Sequence, residues 1–92
     1  MDIFAQLAQR IIKEQENIIG PVALEQARKV SGITIDWAKR EVAIDGDETE
    51  ILEKLIESYQ HFFGQASVEV CREAVRPILS EVPKDKIPRL LQ

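Results

Sequence analysis

The sequence predicts a mainly α-helical single domain over residues 1–92, a small bundle of two helix-glycine-helix hairpins. Three observations predict it. Apolar residues recur at three-and-four spacing along most of the chain, the period of a helix with one buried face. Glycines at 20 and 64 interrupt that spacing where a helix would otherwise run on. A shift of 44 residues brings those two glycines into register, together with many of their neighbours.

The first helix is expected over residues 3–19, with Ile3, Phe4, Leu7, Ala8, Ile11, Ile12, Ile18 and Ile19 as its stripe and Gln15 as the residue that weakens it. It stops where Gly20 can take a left-handed conformation. Pro21 then opens the next helix, because the N–H it lacks would be unpaired in a first turn. That second helix, 21–31, carries Val22, Ala23, Leu24, Ala27 and Val30 and stops at Ser31-Gly32.

Residues 33–45 allow two readings. Ile33, Ile35 and Trp37 alternate with Thr34 and Asp36, and Val42 and Ile44 flank Ala43, which favours a short β-hairpin at 33–44 around Ala38-Lys39-Arg40-Glu41. A helix from Thr34 to Ala43 competes, since Ala38, Lys39, Arg40 and Glu41 are good helix formers. An isolated two-stranded hairpin is marginal unless it packs on helices.

The third helix, 47–63, has the strongest signals. Asp47 is placed to cap it, with Glu50 three residues on, and Glu48, Glu50 and Glu53 suit the positive end of the helix dipole. Ile51, Leu52, Leu55, Ile56, Tyr59, Phe62 and Phe63 make its apolar face. Gly64 ends it, and residues 65–76 resume with Ala66, Val68, Cys71, Ala74 and Val75. Pro77 must then kink the helix or start a new turn. Ile78-Leu79, a turn at Pro83 and Leu90-Leu91 follow.

Under the 44-residue shift, Leu7, Arg10, Ile11 and Ile12 face Ile51, Lys54, Leu55 and Ile56; Ile18-Ile19 face Phe62-Phe63; and Glu25, Ala27 and Arg28 face Glu69, Cys71 and Arg72. Segments 3–31 and 47–75 therefore read as an internal repeat. Duplication and a shared helix grammar account for it equally well.

Composition bounds function. At 45% apolar and 30% charged the chain is an ordinary globular one, and at 5% aromatic its core must be aliphatic. A net charge of -4 argues against nucleic acid, whose affinity comes largely from Lys and Arg on phosphates. No apolar run reaches the ~18 residues of a membrane span, and Met1-Asp2-Ile3-Phe4 does not open a signal peptide. One cysteine cannot close an internal disulfide, so the cytoplasm is the expected location.

Chemical motifs are sparse. Asp45-Gly46-Asp47-Glu48 resembles a calcium loop only until its register is written out, when Ala43 and Leu52 occupy two ligand positions. A turn leading into a capped helix accounts for it better. One His and one Cys cannot close a zinc site, and the scattered glycines make no phosphate loop. His61 reads as a residue near a helix end and Cys71 as core. A catalytic pairing of the two lacks a neighbouring positive charge and an orienting group. No enzyme, cofactor or metal is expected.

The segment Ile18-Ile19-Gly20-Pro21-Val22-Ala23, with the helix after it, resembles a short module found near the C-terminal ends of bacterial serine/threonine kinases and other prokaryotic signalling proteins. Leu79-Ser80-Glu81-Val82-Pro83 is similar to that module's last turn. Gln65 stands where the module's proline would follow the second glycine, and the stretch around Trp37 has no counterpart in it. The resemblance covers about half the chain. It implies an accessory, protein-binding unit and carries no functional residues.

The expected function is thus a non-catalytic interaction or oligomerisation module in a prokaryotic cytoplasmic signalling or regulatory system, binding a protein partner or a second copy as a homodimer. Glu25 with Arg28 and Glu69 with Arg72 are spaced i, i+3 in both halves; they are candidates for a shared recognition surface and otherwise surface ion pairs. Leu90 and Leu91 must dock on this domain, on a second copy or on a partner. The alternative is a small-ligand sensor with a pocket between the halves lined by Trp37, Tyr59 and Phe62.

Overall fold

Two aspartates start the two long helices in the same way. In the computed structural model, which describes residues 1–92, α1 spans Ile3–Ile19 and Asp2 Oδ1 accepts from the Ala5 N–H at 2.8 Å. Helix α3 spans Glu48–Phe63, and Asp47 Oδ1 accepts from the Glu50 N–H at 3.0 Å. Each carboxylate satisfies one of the orphan donors of a first turn.

The two helices also end alike. Gly20 has φ +73° and its N–H donates to the Glu16 carbonyl at 2.9 Å; Gly64 has φ +79° and its N–H donates to the Gln60 carbonyl at 2.8 Å. Positive φ with extended ψ at each corner, a conformation essentially restricted to glycine, turns the chain into a second helix, α2 (Val22–Arg28) or α4 (Gln65–Val75). Helix α2 is shorter than the 21–31 that the apolar spacing suggests. Pro21 sits at its N-cap, and Lys29 closes it with an N–H bonded back within the last turn.

Four helices form the bundle that the spacing predicts. Helix α4 packs on both α1 and α3, while α2 packs on α1 and α3 from the other side. Leu7, Ala8, Ile11 and Ile12 of α1, Leu52, Leu55, Ile56 and Tyr59 of α3, and Val68, Cys71 and Val75 of α4 are fully buried. Each large aliphatic side chain among them contributes roughly 1.5–3 kcal/mol by leaving water. Ala23 and Ala27, also fully buried, present little bulk on the inner face of α2.

Residues 33–44 form the hairpin and not the competing helix: β1 (Ile33–Asp36) pairs antiparallel with β2 (Glu41–Ile44), Ile33 opposite Ile44 and Ile35 opposite Val42. The period of two decided it, because pairing brings all four of these apolar side chains to the face that lies on α1 and α2. Trp37 fastens the loop to α1, its Nε1–H donating to Glu16 Oε2 at 2.9 Å with the Arg40 guanidinium 4.4 Å above its ring. At Gly32, φ is +93° and an added Cβ would lie 2.8 Å from the Asp45 carbonyl oxygen, so only glycine fits the hairpin's base.

Helix α4 ends before Pro77, and the rest of the chain is a strap of three 3-10 turns, Leu79–Glu81, Lys84–Lys86 and Arg89–Leu91. Pro83 and Pro88 stand immediately before the second and third. The strap is bolted to the bundle by polar contacts. The Thr49 hydroxyl donates to the Lys86 carbonyl at 2.7 Å, and the Glu53 carboxylate accepts from the Arg89 and Leu90 N–H groups at 3.1 and 2.9 Å. No helix is long and apolar enough to cross a membrane.

Candidate functional site

The residue that breaks the apolar stripe of α1 is part of a reciprocal clasp. Gln15 is fully buried, and its Nε2–H donates to the Ser67 carbonyl of α4 at 3.0 Å and to Cys71 Sγ at 3.4 Å. Tyr59, equally buried, donates its hydroxyl to the Ala23 carbonyl of α2 at 2.7 Å. The shift of 44 residues that aligns Gly20 with Gly64 also aligns Gln15 with Tyr59 and Ala23 with Ser67. Each half therefore sends a polar group from its first helix to the matched carbonyl in the second helix of the other half. Each such hydrogen bond contributes about 0.5–1.5 kcal/mol net of its exchange with water, so both clasps favour the packed halves.

The clasps fix where the corners lie. Gln15 stands about one turn before Gly20 and Ser67 one turn after Gly64; Tyr59 stands about one turn before Gly64 and Ala23 just after Pro21. Both corners accordingly lie at one end of the bundle. That end carries most of the large apolar side chains left in solvent: Ile18 at 61% exposure, Val22 at 38%, Phe62 at 57% and Phe63 at 37%. Phe62 stacks edge-on with the exposed ring of His61 at 4.9 Å and lies 6.2 Å from Phe63. Ile19, between Ile18 and the corner, is half-buried against the core, so Ile18 is exposed by the side of α1 it occupies.

Charge is missing from the same place. Residues 17–24 and 58–68 contain no Asp, Glu, Lys or Arg, in a chain that is 30% charged, so the gap is local to the two corners. The first formal charge reached along the chain from either corner, in either direction, is a glutamate: Glu16, Glu25, Glu57 or Glu69. Glu16 lies 3.7 Å from Arg40 and Glu69 lies 2.7 Å from Arg72, whereas Glu25 and Glu57 have no cation within ion-pair distance. Each charge-free stretch is thus bounded along the chain by glutamates, two paired with arginine and two, Glu25 and Glu57, unpaired.

The residues singled out in the sequence are distributed differently. Glu69 and Arg72 pair as expected, but Glu25 and Arg28 do not, although both are exposed on α2. Arg72 also holds the strap, its Nε–H donating to the Leu90 carbonyl at 3.0 Å, so it is partly a structural group. Leu91 is buried at 4% exposure and Leu90 is half-buried, so the tail docks on its own domain. Leu91 is covered within the fold, and Leu90 keeps part of its surface in solvent.

Trp37, Tyr59 and Phe62 line no common pocket: Tyr59 is sealed in the core, Trp37 lies under Arg40 and Phe62 projects from the cap. The larger cavity, about 670 Å³ and open to solvent, lies elsewhere, between the start of α3 and the strap, lined by residues including Phe4, Asp47, Glu48, Glu53, Asp85 and Lys86. Partial burial, reinforced by neighbouring Asp2, pushes the Glu48 carboxyl above its ordinary range. No group of three or more His, Cys, Asp or Glu is arranged to hold a metal ion.

His61 and Cys71 share no hydrogen bond. Burial pushes the Cys71 thiol up to about 11, only partly offset by the Gln15 amide, so at neutral pH it is protonated and unreactive. Burial likewise raises the Tyr59 phenol. Comparison with known proteins finds no family model, no curated sequence and no solved structure that matches this chain.

Proposed function

We propose that this domain is a non-catalytic protein-interaction module of a prokaryotic cytoplasmic signalling or regulatory system, and that it binds through the cap formed by Ile18, Val22, Phe62 and Phe63. The observation that carries the reading is the coincidence of exposed apolar side chains with a charge-free stretch at both corners of one end. Scattered apolar residues on a surface need no explanation, but a cluster ringed by polar groups is the pattern of a binding surface. Nothing else in the molecule offers comparable machinery: the thiol is buried, the histidine is unpartnered except by Phe62, and the open cavity is lined mainly by acidic and polar groups. The signalling context rests on the resemblance of Ile18 to Ala23 to the accessory module of prokaryotic kinases, whose Gly-Pro corner is here one edge of the cap.

The test is affinity capture from a native prokaryotic lysate with the wild-type chain and an Ile18→Ser, Phe62→Ser variant side by side. The reading expects at least one protein retained by the wild type and lost by the variant, with both melting at the same temperature. Identical retention by the two would contradict it, as would loss confined to variants of the Leu90–Leu91 tail.

A further inference from the structure

The charges flanking the cap's two stretches constrain what the cap can meet. Four glutamates bound the two charge-free stretches, and two of them, Glu25 on α2 and Glu57 on α3, have no compensating cation. The nearest cation along α2 is Arg28, exposed and not paired with Glu25. Two copies meeting cap to cap would bring the unpaired Glu25 and Glu57 of one toward those of the other, a like-charge juxtaposition that opposes association. An anionic lipid surface would meet the same repulsion, since interfacial binding draws on Lys and Arg around the apolar groups.

Resting on the reading of the cap as an interaction surface, we infer that its occupant is a basic amphipathic segment of another protein. Such a segment presents an apolar face flanked by lysine or arginine. Its aliphatic or aromatic anchors cover Ile18, Val22, Phe62 and Phe63, residues at i, i+3 and i+4 of the segment supplying one apolar face. Its flanking cations reach Glu25 and Glu57. The apolar contact supplies most of the affinity, and the two glutamates supply orientation and encounter rate, as charges at an interface edge generally do.

The probe is a synthetic helical peptide of leucine and lysine in amphipathic pattern, titrated into the full chain and followed by fluorescence anisotropy. A matched peptide with glutamate for lysine is the first comparison. The leucine–lysine peptide is expected to bind, with roughly tenfold weaker affinity for the Ile18→Ser, Phe62→Ser variant, the loss of a buried anchor. A loss of about two- to fivefold is expected for Glu25→Gln with Glu57→Gln, the scale of exposed charge pairs. Glu81→Gln with Asp85→Asn, on the strap remote from the cap, should leave the affinity unchanged.

Equal binding of the leucine–glutamate peptide overturns the inference, and so does an affinity that responds equally to both pairs of acidic substitutions. Cap-dependent self-association in light scattering, or cap-dependent binding to vesicles of phosphatidylglycerol, would also overturn it. Those two results leave the cap standing as an interaction surface. If neither peptide, a second copy nor a vesicle depends on Ile18 and Phe62, the reading of the cap falls as well.

Discussion

The first half of the chain clasps the second with an amide, and the second clasps the first with a phenol. Gln15 and Tyr59 occupy matched positions, yet Gln15 serves two acceptors, Ser67 and Cys71, while Tyr59 serves Ala23 alone and fills far more volume. The sequels differ as well. Helix α2 has 7 residues and leads into the β-hairpin, whereas α4 has 11, packs on both long helices and leads into the strap. The comparison teaches that the shared element is a place for a buried donor opposite a carbonyl, and that different residue types can fill it. The matched positions are thus filled by different residues making different contacts.

The sharpest way to break the equivalence is to delete each clasp. Tyr59→Ala removes a buried ring as well as a hydrogen bond and is expected to cost about 3–5 kcal/mol, against about 1–3 kcal/mol for Gln15→Ala, measured by urea unfolding. Equal losses would mean that the ring's volume contributes nothing beyond its hydroxyl.

Alkaline pH probes the next difference, Cys71 against its matched Ala27. The thiol ionises near 9.0 when unfolded and near 11 in the fold, so its contribution is intact below pH 9 and is lost as pH rises toward 11. The loss should approach about 2–3 kcal/mol, since a tenfold change in proton affinity between the folded and unfolded chain is worth about 1.4 kcal/mol. The raised Tyr59 phenol adds to the decline above pH 10. A Cys71→Ala variant should show the shallower pH dependence in the same titration; an unchanged slope would contradict the burial of the thiol.

The corners should be the point at which the halves agree. Gly20 and Gly64 both have positive φ, and an added Cβ at either meets nothing within 4 Å. With ψ of -153° at Gly20 and -168° at Gly64, both lie in a region essentially restricted to glycine, so alanine at each should cost its backbone strain, about 1–3 kcal/mol and the same in both halves. Gly32→Ala should cost more, because its Cβ would also run into Ile51 and the Asp45 carbonyl. Thermal melts of the three variants give the comparison.

Most of the fold was legible because its signals are local. Asp47 capping, the glycine corners and the alternation of Ile33, Ile35, Val42 and Ile44 each follow from the geometry of one element. Gln15 was harder: within one helix it only interrupts a stripe, and its role requires α4 at its side. Its alignment with Tyr59 under the 44-residue shift was the available signal, since both carry a donor inside an apolar stripe. The cap was obscured for the opposite reason. Ile18-Ile19 and Phe62-Phe63 both continue the periodicity of their helices, but Ile19 packs on the core while Ile18 and Phe62 stay in solvent, and an apolar pair at a helix end does not say which member turns inward. The strap's attachments, Glu53 and Arg72, depend on contacts 37 and 18 residues away in sequence and left no local pattern.

At the corner end the usual sorting is inverted, with an amide and a phenol hydroxyl inside and isoleucine and phenylalanine outside. Urea unfolding of Ile18→Ser with Phe62→Ser beside Gln15→Ala tests this most directly. The cap variant should retain wild-type stability to within about 0.5 kcal/mol, as surface substitutions do, while Gln15→Ala loses about 1–3 kcal/mol. A cap variant as destabilised as the clasp variant would place those apolar side chains in the core and contradict the account.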